Sequence, residues 1–452
     1  MLTYHHIEKM MWERMVLYCF LSMLLTLFLS FSLFFFDNAI AQSEPNICLV
    51  ESRAYPGKDP TMWDGLYAAS DGKVYSALIT EGGSAHIYLY DPKTDTHRMI
   101  CDAAEFLGER GQGIRPSSKI HCQPVEDNDG NIYFVTLNNG SGPRSIDFTS
   151  WRGGHWIKYN PKTGKFEDLG LVALGDGPYP LVIDKERMYL FGISFTGYLY
   201  RCDIKNRTTK NLGRVSNWDI CRSLFCDDQG NVYGSFPTAK IFKYDAKDEK
   251  VYDLSICMPY DPTIFPGRLH NPVVDRTHGW RKILWDPTEK VAYGVTGGSG
   301  SILFKYDPDD GPEGKITELT KLCDSKFLAT DRKDVPYSTL TLALDIKRRK
   351  IYFAPSARKY ALDRYIETFG SDAPHHLIMY DLKIKKRTDL GVMRTIDGRR
   401  VFGCEGASVG SDGTVYLCGQ VEMKDPKNAT RHTRTDNVPI ALRLIIYKPN
   451  PD

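Results

Sequence analysis

Two histidines, a tyrosine and two arginines stand out as residue types that together could move a proton beside a carboxylate. His121 lies in Lys119-Ile120-His121-Cys122, and His155 in Gly153-Gly154-His155-Trp156. Tyr198 follows in Phe195-Thr196-Gly197-Tyr198, with Arg214 and Arg222 downstream. An arginine or a protonated histidine neutralises a carboxylate and so stabilises the enolate-like species formed when the adjacent carbon loses its proton. A tyrosine or a histidine removes that proton and returns one to the departing oxygen. The set therefore suits β-elimination on a uronic acid, with His121, His155, Tyr198 and one or both of Arg214 and Arg222 converging on it. Each residue has a plainer reading: a histidine at a strand end as a structural hydrogen-bonding group, a tyrosine as core, an arginine as a bridge between sheets.

The elements that must hold these residues show in a repeat. Tyr75, Tyr133, Tyr189, Tyr233, Tyr293, Tyr352 and Tyr416 each sit in a short apolar run. Each is followed by a second run ending in Tyr90-Asp91, Tyr159-Asn160, Cys202-Asp203, Tyr244-Asp245, Tyr306-Asp307, Tyr380-Asp381 or Tyr447-Lys448. Two markers counted seven times in the same order, with no helical period between them, predict an all-β, seven-bladed β-propeller. In the first blade the strands are expected at 65–69, 74–79, 86–90 and 97–100, with Asp-Gly and Asp-Pro turns between them. The last blade has three strands, at 401–409, 414–420 and 441–447. Residues 47–50 are expected to supply its fourth strand and close the ring.

A propeller carries its ligand on one face, at the loops that enter each inner strand and those that join the second and third strands. The latter loops lengthen in the second, sixth and seventh repeats. The first insertion, 138–154, holds Arg144, Trp151 and Arg152. The second holds Arg358, Lys359, Tyr360, Arg364 and Tyr365. Cations beside aromatic rings suit an anionic sugar polymer, so Arg144, Trp151, Arg152, Arg358 and Tyr360 are read with Arg222 as substrate-binding. His270 and the His375-His376 pair fall outside this cluster and are read as binding or surface residues.

The 452 residues include 42% apolar, 25% charged and 12% aromatic side chains, with 58 Lys and Arg against 56 Asp and Glu. That balance gives no basic surplus for nucleic acid. Residues 16–36 are almost wholly apolar, and Ala39-Ile40-Ala41 resembles a signal-peptide cleavage site. Residues 1–41 are expected to be a leader and 42–452 a single secreted or periplasmic domain. A retained membrane anchor is the alternative, since the run is long enough to span a bilayer. No Cys-x-x-Cys pair occurs, which argues against a zinc ribbon. One or two disulfides and a structural zinc or calcium ion stay open, and no cofactor is required for the chemistry.

At Met62-Trp63-Asp64-Gly65-Leu66, Ser118-Lys119-Ile120-His121, Gly153-Gly154-His155-Trp156 and Trp285-Asp286-Pro287 with Tyr293-Gly294, the sequence resembles secreted bacterial seven-bladed propellers. That group includes the propeller-type ulvan lyases. The likeness runs over roughly residues 55–450. It implies a lyase acting on a sulfated, uronate-containing algal polysaccharide. His121 and His155 would match the family's histidines, Tyr198 its base and acid, and Arg214 its carboxylate clamp, with Arg222 competing for that role. Phe195 stands where related propellers often carry a tyrosine. The other reading is a non-catalytic propeller that binds glycans or proteins. A hydrolase or lactonase ranks last, because no repeated Asp or Glu begins the inner strands. A monomer binding an anionic polysaccharide is expected.

Overall fold

A computed structural model describes Trp12 and residues 46–450, except 58, 60, 81–82, 139–150, 216–220, 236–239, 260–278, 297–300, 323–333, 338, 362–363, 366–374 and 433–436. For 334–337, 356–361 and 364–365 it describes the backbone alone. The leader assigned to 1–41 therefore lies outside the described residues, Trp12 excepted. Among the described residues no helix is long and apolar enough to cross a membrane.

The chain is all-β, about 3% helical, with its sheets arranged as a β-propeller. Five separate four-stranded antiparallel sheets account for most of residues 66–321. The first runs Leu66–Ala68, Val74–Leu78, His86–Asp91 and Thr96–Asp102. Inner strands are short, two or three residues in the first four sheets. The remaining long strands do not separate. They form one nine-stranded sheet because Ile47–Ala54 bonds on both sides. Ile47 to Val50 run parallel to Val392–Thr395, and Glu51 to Ala54 run antiparallel to Arg443–Ile446. So the segment expected to face the last repeat gives its first half to the strand before it and its second half to the last strand.

The repeat follows from two recurring local devices. In four sheets the marker tyrosine is buried on both faces, and its phenol donates to an acid just upstream. The pairs are Tyr75 to Asp71 at 3.0 Å, Tyr133 to Asp127 at 2.8 Å, Tyr233 to Asp227 at 3.2 Å and Tyr293 to Glu289 at 2.6 Å. The ring gains its burial while the hydroxyl stays satisfied. At the end of each third strand an Asp or Asn side chain accepts from the backbone N–H two residues on. Asp91, Asn160, Asp203, Asp245, Asp307 and Asp381 all do so at 2.9–3.2 Å. These Asx turns set each hairpin to the outer strand.

The sixth-repeat insertion is not a loop throughout. Ser356–Ala361 pairs with Asp334–Tyr337 and with Arg364–Tyr365, forming a small three-stranded sheet. A second-to-third connection thus bonds to a segment leading into an inner strand, as two loops on one face must.

Candidate functional site

Each inner strand is preceded by a lead-in segment, and side chains from successive lead-ins meet. Trp63, His121, Tyr179, Arg222, Arg281 and Glu405 lie 10 to 12 residues before the marker tyrosines Tyr75, Tyr133, Tyr189, Tyr233, Tyr293 and Tyr416. They therefore stand at one level of the repeat. His121 is fully buried. Its ring lies parallel to Trp63 at 6.0 Å and edge-on to Tyr179 at 4.7 Å. Arg222 Nη1 donates to His121 Nε2 at 3.1 Å, which leaves the imidazole proton on Nδ1. Nδ1 has no hydrogen-bond partner among the described residues.

Lys119, two residues before His121, reaches the same place. Its ammonium is 5.2 Å from the Tyr179 ring and 5.9 Å from Trp63. The Arg222 guanidinium is 5.9 Å and 6.0 Å from the same two rings. Burial holds His121 well below the usual histidine range, and the charges of Lys119, Arg222 and Arg281 push it the same way. The imidazole is neutral, and it sits in a positive field. Arg281 is 3.6 Å from Glu405.

One step deeper is a second polar layer. Lys282 Nζ donates to both Asp64 oxygens at 2.7 and 2.6 Å and to Gln123 Oε1 at 3.0 Å. Burial pushes the Asp64 carboxyl up to about 6 although Lys282 pulls it down. A cavity of about 190 Å³ opens beside these residues and Arg222.

The expected set divides into three groups. His121 keeps Arg222. Tyr198 lies opposite Arg214 across neighbouring strands, with the guanidinium 5.9 Å from its ring. His155 Nδ1 meets both Asp168 oxygens at 3.0 Å. His155 and Tyr198 begin the third strands of adjacent sheets. His376 begins another and meets Asp389 at 2.9 Å, at the same spacing of thirteen residues. His86 begins a fourth, 2.9 Å from Asp59. His155 and Tyr198 thus hold equivalent positions in adjacent sheets, each with its own partner. Of the five residues, the described contacts join His121 to Arg222 and Tyr198 to Arg214.

Other expectations change with burial. Gly153 and Gly154 have no room for a side chain: a Cβ would lie 1.9 Å from the Ala173 carbonyl oxygen and 2.2 Å from that of Thr136. They serve close backbone packing within the sheet rather than approach to a ligand. Trp151 is buried with Leu137, Tyr179 and Phe195, its indole N–H 3.5 Å from the Ser117 hydroxyl. Phe195 thus backs Tyr179. Arg152 is exposed. Arg144 and His270 lie outside the described residues, as do the side chains of Arg358 and Tyr360. His375 is buried and His376 is held by Asp389, so neither is a surface group. The nine described cysteines are free thiols, seven of them buried. Among the described residues no three His, Cys, Asp or Glu gather as metal ligands.

The residues missed at the sequence level were Trp63, Lys119, Tyr179 and Arg281. Counting back from each marker tyrosine would have found all but Lys119.

No family model matches the chain, and no curated protein matches it. Among solved structures 1433 chains match, a breadth that marks a widely used fold and selects no activity. One is a chain in a crystal structure of the mitotic checkpoint complex. It has 10% identity and a TM-score of 0.51 over 91% of this chain and 94% of that one. At that identity the likeness establishes the propeller fold alone.

Proposed function

We propose that the protein is an exported seven-bladed propeller lyase that cleaves a sulfated, uronate-containing polysaccharide of the ulvan type by β-elimination. The observation that carries this is the cluster around His121, where an anion-attracting field and two aromatic rings meet at the axis. Arg222, oriented by the neutral His121 ring, takes the uronate carboxylate and stabilises the enolate-like species. Lys119 adds to that charge. The Tyr179 phenol is placed to exchange the proton, and Trp63 offers a face for the pyranose. The base takes the proton alpha to the carboxylate, a carbon–carbon double bond forms, the bond to the beta oxygen breaks, and that oxygen is protonated as it leaves. None of these steps calls on a metal or cofactor. In this reading Tyr179 and Arg222 take the roles first given to Tyr198 and Arg214.

Seven blades are supported by the seven marker pairs and by the five separate sheets. Dividing the nine-stranded sheet at Ile47–Ala54 supplies the other two and would close the ring. The apolar run before Ala41 supports export.

A second reading, a propeller that binds the polymer without cleaving it, is favoured by the burial of His121 and by its Nε2 being already engaged. The test is incubation of the purified protein with ulvan and other uronate polymers, following the ultraviolet absorbance of the unsaturated product. A rise that falls by roughly 100-fold or more in Tyr179→Phe and Arg222→Met supports the lyase. A flat trace from folded protein that still binds ulvan sinks it in favour of the second reading.

A further inference from the structure

The position that holds a histidine in three sheets holds Tyr198, Lys240 and Ile302 in three others and Arg443 in the last. That position lies four residues before the second marker: His86 before Tyr90, His155 before Tyr159, His376 before Tyr380, and Arg443 before Tyr447. Each histidine there meets a protein carboxylate. Arg443 does not: it is half-buried in Pro439–Tyr447, and its polar contact among the described residues is the Met423 sulfur at 3.7 Å. Burial and the nearby Arg399 guanidinium both disfavour its charge, and Asp397 only partly offsets them.

More cations gather here. Arg394 bridges Arg400 through the backbone. Lys424 Nζ is 3.7 Å from Asp397, and Arg399 Nε is 2.8 Å from the same carboxylate. Arg400 is held by Glu422 at 3.1 Å. Among the described residues, Asp397 meets two of these cations and Glu422 one. The segment Asp397–Arg400 leads into Val401–Val409, the strand that carries Glu405 of the axial cluster. Arg400 and Glu405 are separated by at most about 17 Å at a strand's rise per residue.

We propose that Arg443, Arg399 and Lys424 form an anion-binding subsite for a sulfate ester or carboxylate of an anionic polysaccharide bound across the same face. The ligand's anion supplies an acid like the one that three of the other sheets build in. A half-buried guanidinium among like charges is stabilised when a bidentate anion meets it. The inference rests on the polyanion part of the proposed function and not on elimination.

The probe is a short dextran sulfate, which has no uronate to eliminate, titrated by calorimetry at two salt concentrations. Arg443→Met with Lys424→Gln is expected to bind about tenfold more weakly, the size of one set of charge-assisted hydrogen bonds. The control Lys162→Gln with Lys205→Gln removes the same charge from turns between third and outer strands and is expected to lose no more than about twofold. If the double variant melts early, the exposed Lys424→Gln alone should still lose about threefold. Equal affinities in variant and wild type, equal losses in variant and control, or no binding by the wild type would each overturn the subsite. Dextran sulfate binding lost in the variant beside a flat ulvan trace would keep the subsite while rejecting the lyase.

Discussion

At the scale of single residues, position in the repeat separates a clasp from a site. His155 with Asp168 and His376 with Asp389 are the same device in two sheets, tying the start of a third strand to its outer neighbour. His155→Asn is therefore expected to cost about 1 kcal/mol in urea unfolding and to leave turnover of any uronate substrate within twofold. Loss of turnover with unchanged stability would return His155 to the site. His121 was legible as a candidate from its residue type and its place just before an inner strand. Tyr198 stands opposite Arg214 on the next strand, a pairing that sequence distance alone does not reveal. Tyr179 was invisible: Gly177-Pro178-Tyr179-Pro180 reads as a turn until its distance from Tyr189 is counted.

At the scale of elements, the strand Ile47–Ala54 deserves the closest test, since it joins two strands that the repeat assigns to different blades. Its first four residues alternate, with Ile47 and Leu49 exposed and Cys48 and Val50 buried. Val50→Ala is expected to cost about 2 kcal/mol, and Leu49→Ser less than about 0.5 kcal/mol. Similar costs at both positions would mean that this strand is not packed on one face. Its existence was legible from the apolar run and from the missing fourth strand of the last repeat. Its double pairing was not, because nothing local tells a strand that one half will find a parallel partner and the other an antiparallel one.

At the scale of the whole molecule, Lys282, Asp64 and Gln123 tie three sheets across the axis. Removing one member of a buried pair leaves a bare charge, so Lys282→Met is expected to cost about 3–5 kcal/mol. Adding Asp64→Asn should recover much of it, since a neutral amide replaces the stranded carboxylate. If the double variant is no better than the single one, the pair is not the reason for the loss. The pH dependence has a definite sign. Burial pushes the Asp64 carboxyl up to about 6, above the usual aspartate range. The folded state therefore holds the extra proton between about pH 4 and 6, and stability from this group falls as pH rises through that window. Asp64→Asn should flatten that part of the unfolding profile.

The sequence by itself determined the all-β repeat and the turn chemistry at the hairpins, because both are written in residues close together in the chain. Only the tertiary structure decided which side chains share a centre. Trp63, His121, Tyr179, Arg222 and Arg281 come from five sheets spread over more than 200 residues. Their meeting depends on how each sheet rotates about the axis, which no local pattern records.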